Sequence, residues 1–311
     1  MKIGFIGTGS MGNPVAERLL EAGHELFVYD VRKEATENLV AAGATGCGDP
    51  AEAAAEADAV MLSLPSQLEV EAVCFGVDGL LATIRPGTFL VDLTTVSVSL
   101  VPRLVETGTT HSLRYLAAPV SQGVDNAKLG KLSVFVGGAE EDVEAFRPVL
   151  DAVATTVIHT GDQQTAVAAK LLTNLLWYIN AAAIGEALVL GAKSGIDLST
   201  LQQAILNSCG TSWVAEHDIP SIYDGSFDTT FTTKLCTKDL RLIAELADRF
   251  DVPIEVGATV QQIFRRAENL YGGDSPELSV VRFLQDTTGT SLQPGALGKD
   301  RRSSRRHAGR E

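Results

Sequence analysis

The chain has 311 residues, 45% hydrophobic and 21% charged, and its 25 Lys and Arg against 39 Asp and Glu leave a net charge of −14. That length can bury a full core and suits two domains, while so acidic a body repels phosphate backbones and argues against nucleic acid as a partner. Four widely spaced cysteines without a Cys-x-x-Cys pair, and an N-terminus that opens on a strand instead of a signal pattern, lead us to expect a cytoplasmic protein with reduced thiols, no metal site and no membrane partner.

Residues 2–6, Lys-Ile-Gly-Phe-Ile, form a short strand that runs directly into Gly7-Thr8-Gly9-Ser10-Met11-Gly12 and then a helical pattern with Val15, Leu19 and Leu20 on one face. In strand–turn–helix context the three glycines do different things. Gly7 makes the tight turn, Gly9 lets backbone approach a pyrophosphate, and Gly12 allows close helix–strand packing. The helix N-terminus adds donors and a positive dipole end. A second strand over residues 25–29 ends at Asp30, where a carboxylate accepts from the ribose hydroxyls and repels a 2′-phosphate. NAD is therefore expected, with Arg32 and Lys33 leaving NADP possible. The alternation continues through helix 33–42, a strand near Thr45, helix 50–56, strand 59–64, a further helix, and an apolar strand over 88–93 broken only by Asp92. Such a pattern predicts a doubly wound, mainly parallel sheet covered on both faces. Ligands gather at the carboxyl ends of its strands, so Leu64, Pro65 and Thr95 are expected to border the nicotinamide, or else to be ordinary loop residues, which spacing alone does not decide.

After a strand over 113–117 comes Ala118-Pro119-Val120-Ser121-Gln122-Gly123, where a serine hydroxyl and turn amides suit a small carboxylate, or where Ser121 simply caps a turn. A strand over 132–136, a helix to Asp151 and a strand near Val157 complete a first domain at residues 1–161. Residues 163–193 hold no proline and only two glycines, Gly185 and Gly191, which predicts one long, largely buried helix. Lys170 and Asn174 fall at i and i+4 on one face, with Trp177 and Tyr178 on the next turn. An ammonium among Leu171, Leu172 and Leu175 would be desolvated toward a proton-exchanging pKa; otherwise it snorkels to solvent. Segments 197–207, 236–250, 254–270 and 277–285 read as helices of a second, all-α domain at 162–286. Within it Lys238 either meets cofactor or substrate or pairs locally with Asp239. From 287 the small, polar and basic residues predict a disordered tail.

With these residues assembled, the chain resembles the β-hydroxyacid dehydrogenase family, whose members include 3-hydroxyisobutyrate dehydrogenase and tartronate semialdehyde reductase. Residues 7–12 are similar to its G-x-G-x-M-G, and residues 118–123 to its D-x-P-V-S-G-G substrate loop. Gly161, Lys170 and Asn174 are similar to its lysine–asparagine helix, and Lys238-Asp239-Leu240 to its K-D-L. The likeness spans about residues 1–285. It implies a Rossmann domain joined by a long helix to a helical domain that also builds a homodimer or homotetramer. It implies NAD(P)-dependent hydride transfer between nicotinamide and a small anionic β-hydroxyacid or its semialdehyde. By the same resemblance Lys170 is the catalytic acid/base and Asn174 orients the substrate. Ser121 and Gly123 hold its carboxylate, with Gln122 between them. Gly7, Thr8, Gly9, Ser10, Met11, Gly12, Asp30, Leu64, Pro65, Thr95 and Lys238 serve the cofactor. Three positions depart from the pattern: Gln122 replaces a glycine, Thr173 stands where the paired asparagines begin, and Ala118 replaces an acidic or polar residue. They bear on the substrate more than on the reaction. Lys170 sets the chain apart from imine reductases, which typically lack the lysine. A non-catalytic dinucleotide sensor would not need Lys170, Asn174 and Ser121 together.

Overall fold

The computed structural model describes residues 1–76 and 79–293. One nine-stranded sheet is built from β1 (Lys2–Ile6), β2 (Glu25–Tyr29), β3 (Thr45–Gly46), β4 (Ala59–Leu62), β5 (Phe89–Asp92), β6 (Arg114–Ala117), β7 (Val120–Ser121), β8 (Leu132–Gly137) and β9 (Ala154–Gly161). Its order is β3-β2-β1-β4-β5-β6-β8-β7, with β9 paired to β8. The six strands from β3 to β6 in that order pair in parallel, β8 runs antiparallel to β6 and β7, and β9 pairs parallel to β8. Every residue of β4 and β5 is buried, as continuous apolar strands covered on both faces require. Ile3, Phe5, Val15, Leu19, Met61 and Phe146 belong to one core that joins the sheet to its helices. The chain leaves β1 toward β2 and β3, then returns to β4 on the other side of β1. The carboxyl ends of β1 and β4 therefore flank the switch point where open α/β sheets bind ligands.

Two compact units divide the chain, residues 1–172 and the remainder from Thr173. The helix Gln163–Lys193 runs unbroken through that division for 31 residues. By length and composition it would pass as a membrane span, yet half of the qualifying window is buried within the protein. It is less buried than expected, because Leu172, Leu176 and Leu190 are 52%, 62% and 70% exposed. Its two glycines are points of close approach: a Cβ on Gly185 would lie 2.9 Å from Val281 Cγ2, and one on Gly191 would collide with the Leu201 side chain. Helices Leu198–Leu206, Trp213–His217, Ile219–Asp224, Thr233–Arg249, Glu255–Tyr271 and Ser279–Thr288 complete the second unit. Asp197 caps the first of these by accepting from the Ser199 and Thr200 amides.

The chain stays ordered beyond residue 286. The last helix reaches Thr288, Gly289 ends it in the left-handed region, and Thr290 and Leu292 are buried. Two bonds tie this segment back, Thr290 N–H to the Gln285 carbonyl and Leu292 N–H to Gln285 Oε1 at 2.8 Å. The polar run masks Leu292, which is buried and anchors the described part of it. The expected disordered tail from 294 onward lies outside the described residues.

Candidate active site

β1 delivers the chain to Gly7 at φ +92°, where glycine alone is unstrained and where a Cβ would press on the Ser63 carbonyl oxygen. At Gly12, which opens the helix Gly12–Glu21, a Cβ would drive into the Gly7 carbonyl oxygen. Around Gly9 the one heavy atom within 4 Å of an added Cβ, among the described residues, is Arg32 Nη2 at 3.6 Å. Gly7 and Gly12 thus serve the chain's own packing, whereas Gly9 leaves the space over the turn open. No side chain caps this helix; the Asn13 N–H is taken by the Gly9 carbonyl at 2.9 Å and Pro14 has none, so what the helix offers an anion is chiefly its positive dipole end. Thr8 is buried, and its Oγ1 has no hydrogen-bond partner among the described residues. A phosphate oxygen would supply one, and the turn fits a dinucleotide pyrophosphate on these grounds. Ser10 is exposed at its rim, while Met11 packs against the core.

Asp30, one residue past β2, closes onto the same turn. Its Oδ2 accepts from the Thr8 backbone N–H at 2.9 Å and its Oδ1 from the Arg32 backbone N–H at 2.9 Å, with Arg32 Nε 3.5 Å away. Each carboxylate oxygen has a second lone pair for a ribose hydroxyl. The exposed Arg32 guanidinium stands beside Gly9, so a carboxylate and a cation lie together at the edge of the glycine turn.

The loops after β4 and β5 meet as expected for adjacent parallel strands, Leu62 being in register with Asp92. Leu64 N–H donates to Thr94 Oγ1 at 3.1 Å, and a Cβ on Gly7 would lie 3.0 Å from Leu64 Cδ2. Leu64 is thereby fixed beside the glycine turn, with Pro65 following it and Thr95 following Thr94. Sequence spacing points to Thr95; the structure adds Thr94 as the tie. Asp92 interrupts its apolar strand because its Oδ1 accepts from the Thr94 N–H at 2.9 Å and turns the chain out of the sheet.

Ser121 ends β7, paired with Ser133 of β8. Gln122 and Gly123 follow at φ +92° and +75°. A left-handed glutamine costs on the order of 1–3 kcal/mol. Asn126 Nδ2 braces it by donating to the Gln122 carbonyl at 2.9 Å, and the Gln122 amide leans toward Ser133 Oγ at 3.4 Å. A Cβ on Gly123 would meet nothing within 4 Å, so the turn opens onto free space there.

Lys170 and Asn174 stand one turn apart on the unbroken helix, both half-buried. Leu171 is fully buried but Leu172 is exposed, so the leucine cage expected around the ammonium is incomplete. In the second unit Asp239, 1% exposed, gathers two hydrogen-bond donors and a cation. Its Oδ2 accepts from Asn174 Nδ2 at 2.8 Å and from the Tyr178 hydroxyl at 3.1 Å. Its Oδ1 is 3.1 Å from Lys238 Nζ, an ion pair not aligned as a hydrogen bond. The local pairing expected for Lys238 is present. The sequence shows Asp239 only as a neighbour of Lys238; its bond to Asn174 bridges 65 residues and is visible only in the fold.

On the next turn Trp177 Nε1 donates to Asp218 Oδ2 at 3.1 Å. Burial pushes the Asp218 carboxyl up to about 6, against the lowering effect of that bond. A carboxyl whose pKa rises on folding stabilises the protein below the unfolded value near 4, and this contribution is lost as pH rises through about 6. Asp218→Asn keeps an acceptor for Trp177 and removes the ionisation. Relative to wild type it is expected to gain stability between pH 4 and 7, roughly 3 kcal/mol at most. Urea unfolding of both proteins at several pH values checks this; parallel pH curves would refute the assignment.

Burial also raises the thiol of Cys47, to about 11, and those of Cys74 and Cys236, which disfavours the thiolate form in all three.

Residues 2–161 match the family model for the NAD binding domain of 6-phosphogluconate dehydrogenase. Residues 165–284 match the model described as NAD-binding of NADP-dependent 3-hydroxyisobutyrate dehydrogenase. The chain is 34% identical over 296 residues to 2-(hydroxymethyl)glutarate dehydrogenase of Eubacterium barkeri, covering 95% of this chain and 98% of that one. It is 33% identical over 295 residues to mitochondrial 3-hydroxyisobutyrate dehydrogenase of Mus musculus, covering 91% and 87%. A solved structure of 3-hydroxyisobutyrate dehydrogenase from Mycobacterium tuberculosis with L-serine has a TM-score of 0.83 at 31% identity, covering 91% of this chain and 99% of that one.

Proposed function

The chain belongs to the β-hydroxyacid dehydrogenase family, and from that premise we propose the part each of its residues takes. It is an NAD(P)-dependent oxidoreductase acting on the CH–OH group of a hydroxyacid. When bound, the nicotinamide takes up or returns a hydride at the carbinol carbon. Neutral Lys170 accepts the hydroxyl proton in oxidation, and its ammonium returns that proton to the carbonyl oxygen in reduction. Asn174 holds the same substrate oxygen in line, while the Ser121 hydroxyl and the Gly123 amide bind the carboxylate. One arrangement carries this chemistry: an amine and an amide one helical turn apart on a single unbroken helix, in a chain whose Gly7–Gly12 turn is shaped for a pyrophosphate.

The substrate is a small 3-hydroxyacid or its semialdehyde. Asp30 favours NAD by repelling a 2′-phosphate, and the Arg32 guanidinium beside Gly9 lets NADP bind more weakly. The exposed Leu172, Leu176 and Leu190 support association of the long helix with a second copy of the chain, as a homodimer or homotetramer.

The test is reduction of NAD⁺ and NADP⁺ with a panel of 3-hydroxyisobutyrate, glycerate, serine, 3-hydroxybutyrate and 2-(hydroxymethyl)glutarate. Turnover is expected with at least one of them, and faster with NAD⁺. No turnover of any hydroxyacid with either cofactor would sink the reading.

A further inference from the structure

The segment that follows β2 is tied to the glycine turn and its helix at two places. The first tie is Asp30, whose Oδ2 accepts from the Thr8 N–H. The second is a ring of two amides. Asn13, in the first turn of the helix Gly12–Glu21, donates from Nδ2 to Asn38 Oδ1 at 2.9 Å, and Asn38 Nδ2 donates back to Asn13 Oδ1 at 2.9 Å. Each nitrogen then has one N–H left. Asn13 gives its own to the Ala35 carbonyl at 3.0 Å, and Asn38 gives its own to Glu17 Oε1 at 2.7 Å. The Ala35 carbonyl and the Glu17 carboxylate only accept, so both amides are fixed as they stand. Turned over, each would set its carbonyl oxygen against another oxygen.

Between the two ties lie Val31, Arg32, Lys33 and Glu34, all exposed. Arg32 carries its Nε 3.5 Å from Asp30 Oδ1, and its Nη2 would lie 3.6 Å from a Cβ on Gly9. From this geometry we infer that Asn13 and Asn38 are positioning residues for the adenosine half of the dinucleotide. They clasp the far end of the segment, so that Asp30 and Arg32 meet the adenosine ribose in one fixed arrangement. The inference rests on the dinucleotide reading and adds a residue pair to it. Leu39 also holds the helix Glu37–Ala41, being fully buried in the core, but apolar burial has no direction. The amide ring supplies one. Without it the segment keeps its place near the turn and loses its single arrangement, which binding then has to restore at a cost in affinity.

Calorimetric titration with NADH, ADP-ribose and reduced nicotinamide mononucleotide tests this, with the thermal midpoint of each protein as the check on folding. Asn38→Ala is expected to weaken NADH and ADP-ribose about three- to tenfold, the ordering cost having returned to the binding step. The mononucleotide lacks the adenosine and is expected to bind as it does to wild type. Asn13→Ala releases Ala35 as well and is expected to lose more. The double variant is expected to match Asn13→Ala to within about twofold, since residues that act as one unit are not additive. Unchanged affinity for NADH in Asn38→Ala would overturn the inference. So would equal losses for NADH and the mononucleotide, or a lowered midpoint with every affinity kept, because a merely structural pair would behave in those ways. Additive losses in the double variant would overturn the pairing. A wild-type protein that binds no NADH would count against the dinucleotide reading itself, and this inference would fall with it.

Discussion

Lys170→Ala is expected to lose at least ~10²-fold in kcat while binding NAD(H) with nearly unchanged affinity. The side chain is half-buried, its neighbour Leu172 is exposed, and alanine is the better helix former, so the variant is expected to fold, which its thermal midpoint checks. Loss of turnover would therefore report on proton transfer and not on stability. Lys170→Arg keeps the charge and discards the function, since a guanidinium does not deprotonate near neutral pH. It is expected to be as slow as the alanine variant in oxidation. Steady-state kinetics in both directions, with cofactor affinity measured by nucleotide fluorescence, settle the matter. Near-normal kcat in Lys170→Ala would remove the acid/base assignment.

Gly12→Ala and Gly9→Ala are expected to fail for different reasons. At Gly12 the new methyl collides with the Gly7 carbonyl oxygen, a backbone atom that moves only if the turn or the helix moves. Overpacking of this kind costs about 1–3 kcal/mol or more, and it deforms the surface that receives the pyrophosphate. Both stability and cofactor affinity should fall. At Gly9 the methyl meets only the flexible end of Arg32 at 3.6 Å, so stability should be kept. It enters the space a phosphate would fill, and affinity for NAD(H) should still drop at least tenfold. Calorimetric titration with NADH and urea unfolding separate the two effects. A Gly9→Ala protein that binds NADH as wild type does would show that the turn is no phosphate cradle.

The local elements were legible because their signals are short in range. β1 and β2 occupy residues 2–6 and 25–29, as their apolar runs predict, and the long helix keeps its expected limits of 163 and 193. Ends decided by capping or by distant packing were less so. The strand expected over 59–64 stops at Leu62, because Ser63 and Leu64 are drawn out to the glycine turn and to Thr94. The helix expected over 33–42 begins as a 3-10 turn, Lys33–Thr36.

What the sequence determined by itself is the chemistry on offer: a glycine turn at the end of a strand, an acid after β2, and a lysine and an asparagine at helical spacing. Each depends on residues fewer than about 25 apart, and backbone periodicity suffices to bring such residues together. Only the tertiary structure decided how that chemistry is aimed. It put Arg32 beside Gly9, held Gln122 in a left-handed conformation opposite Ser133, and brought Asp239 against Asn174. Those choices come from hydrogen bonds and contacts between residues on separate elements. A buried carboxylate has to find its donors wherever packing leaves them, and no spacing along the chain announces which ones they are.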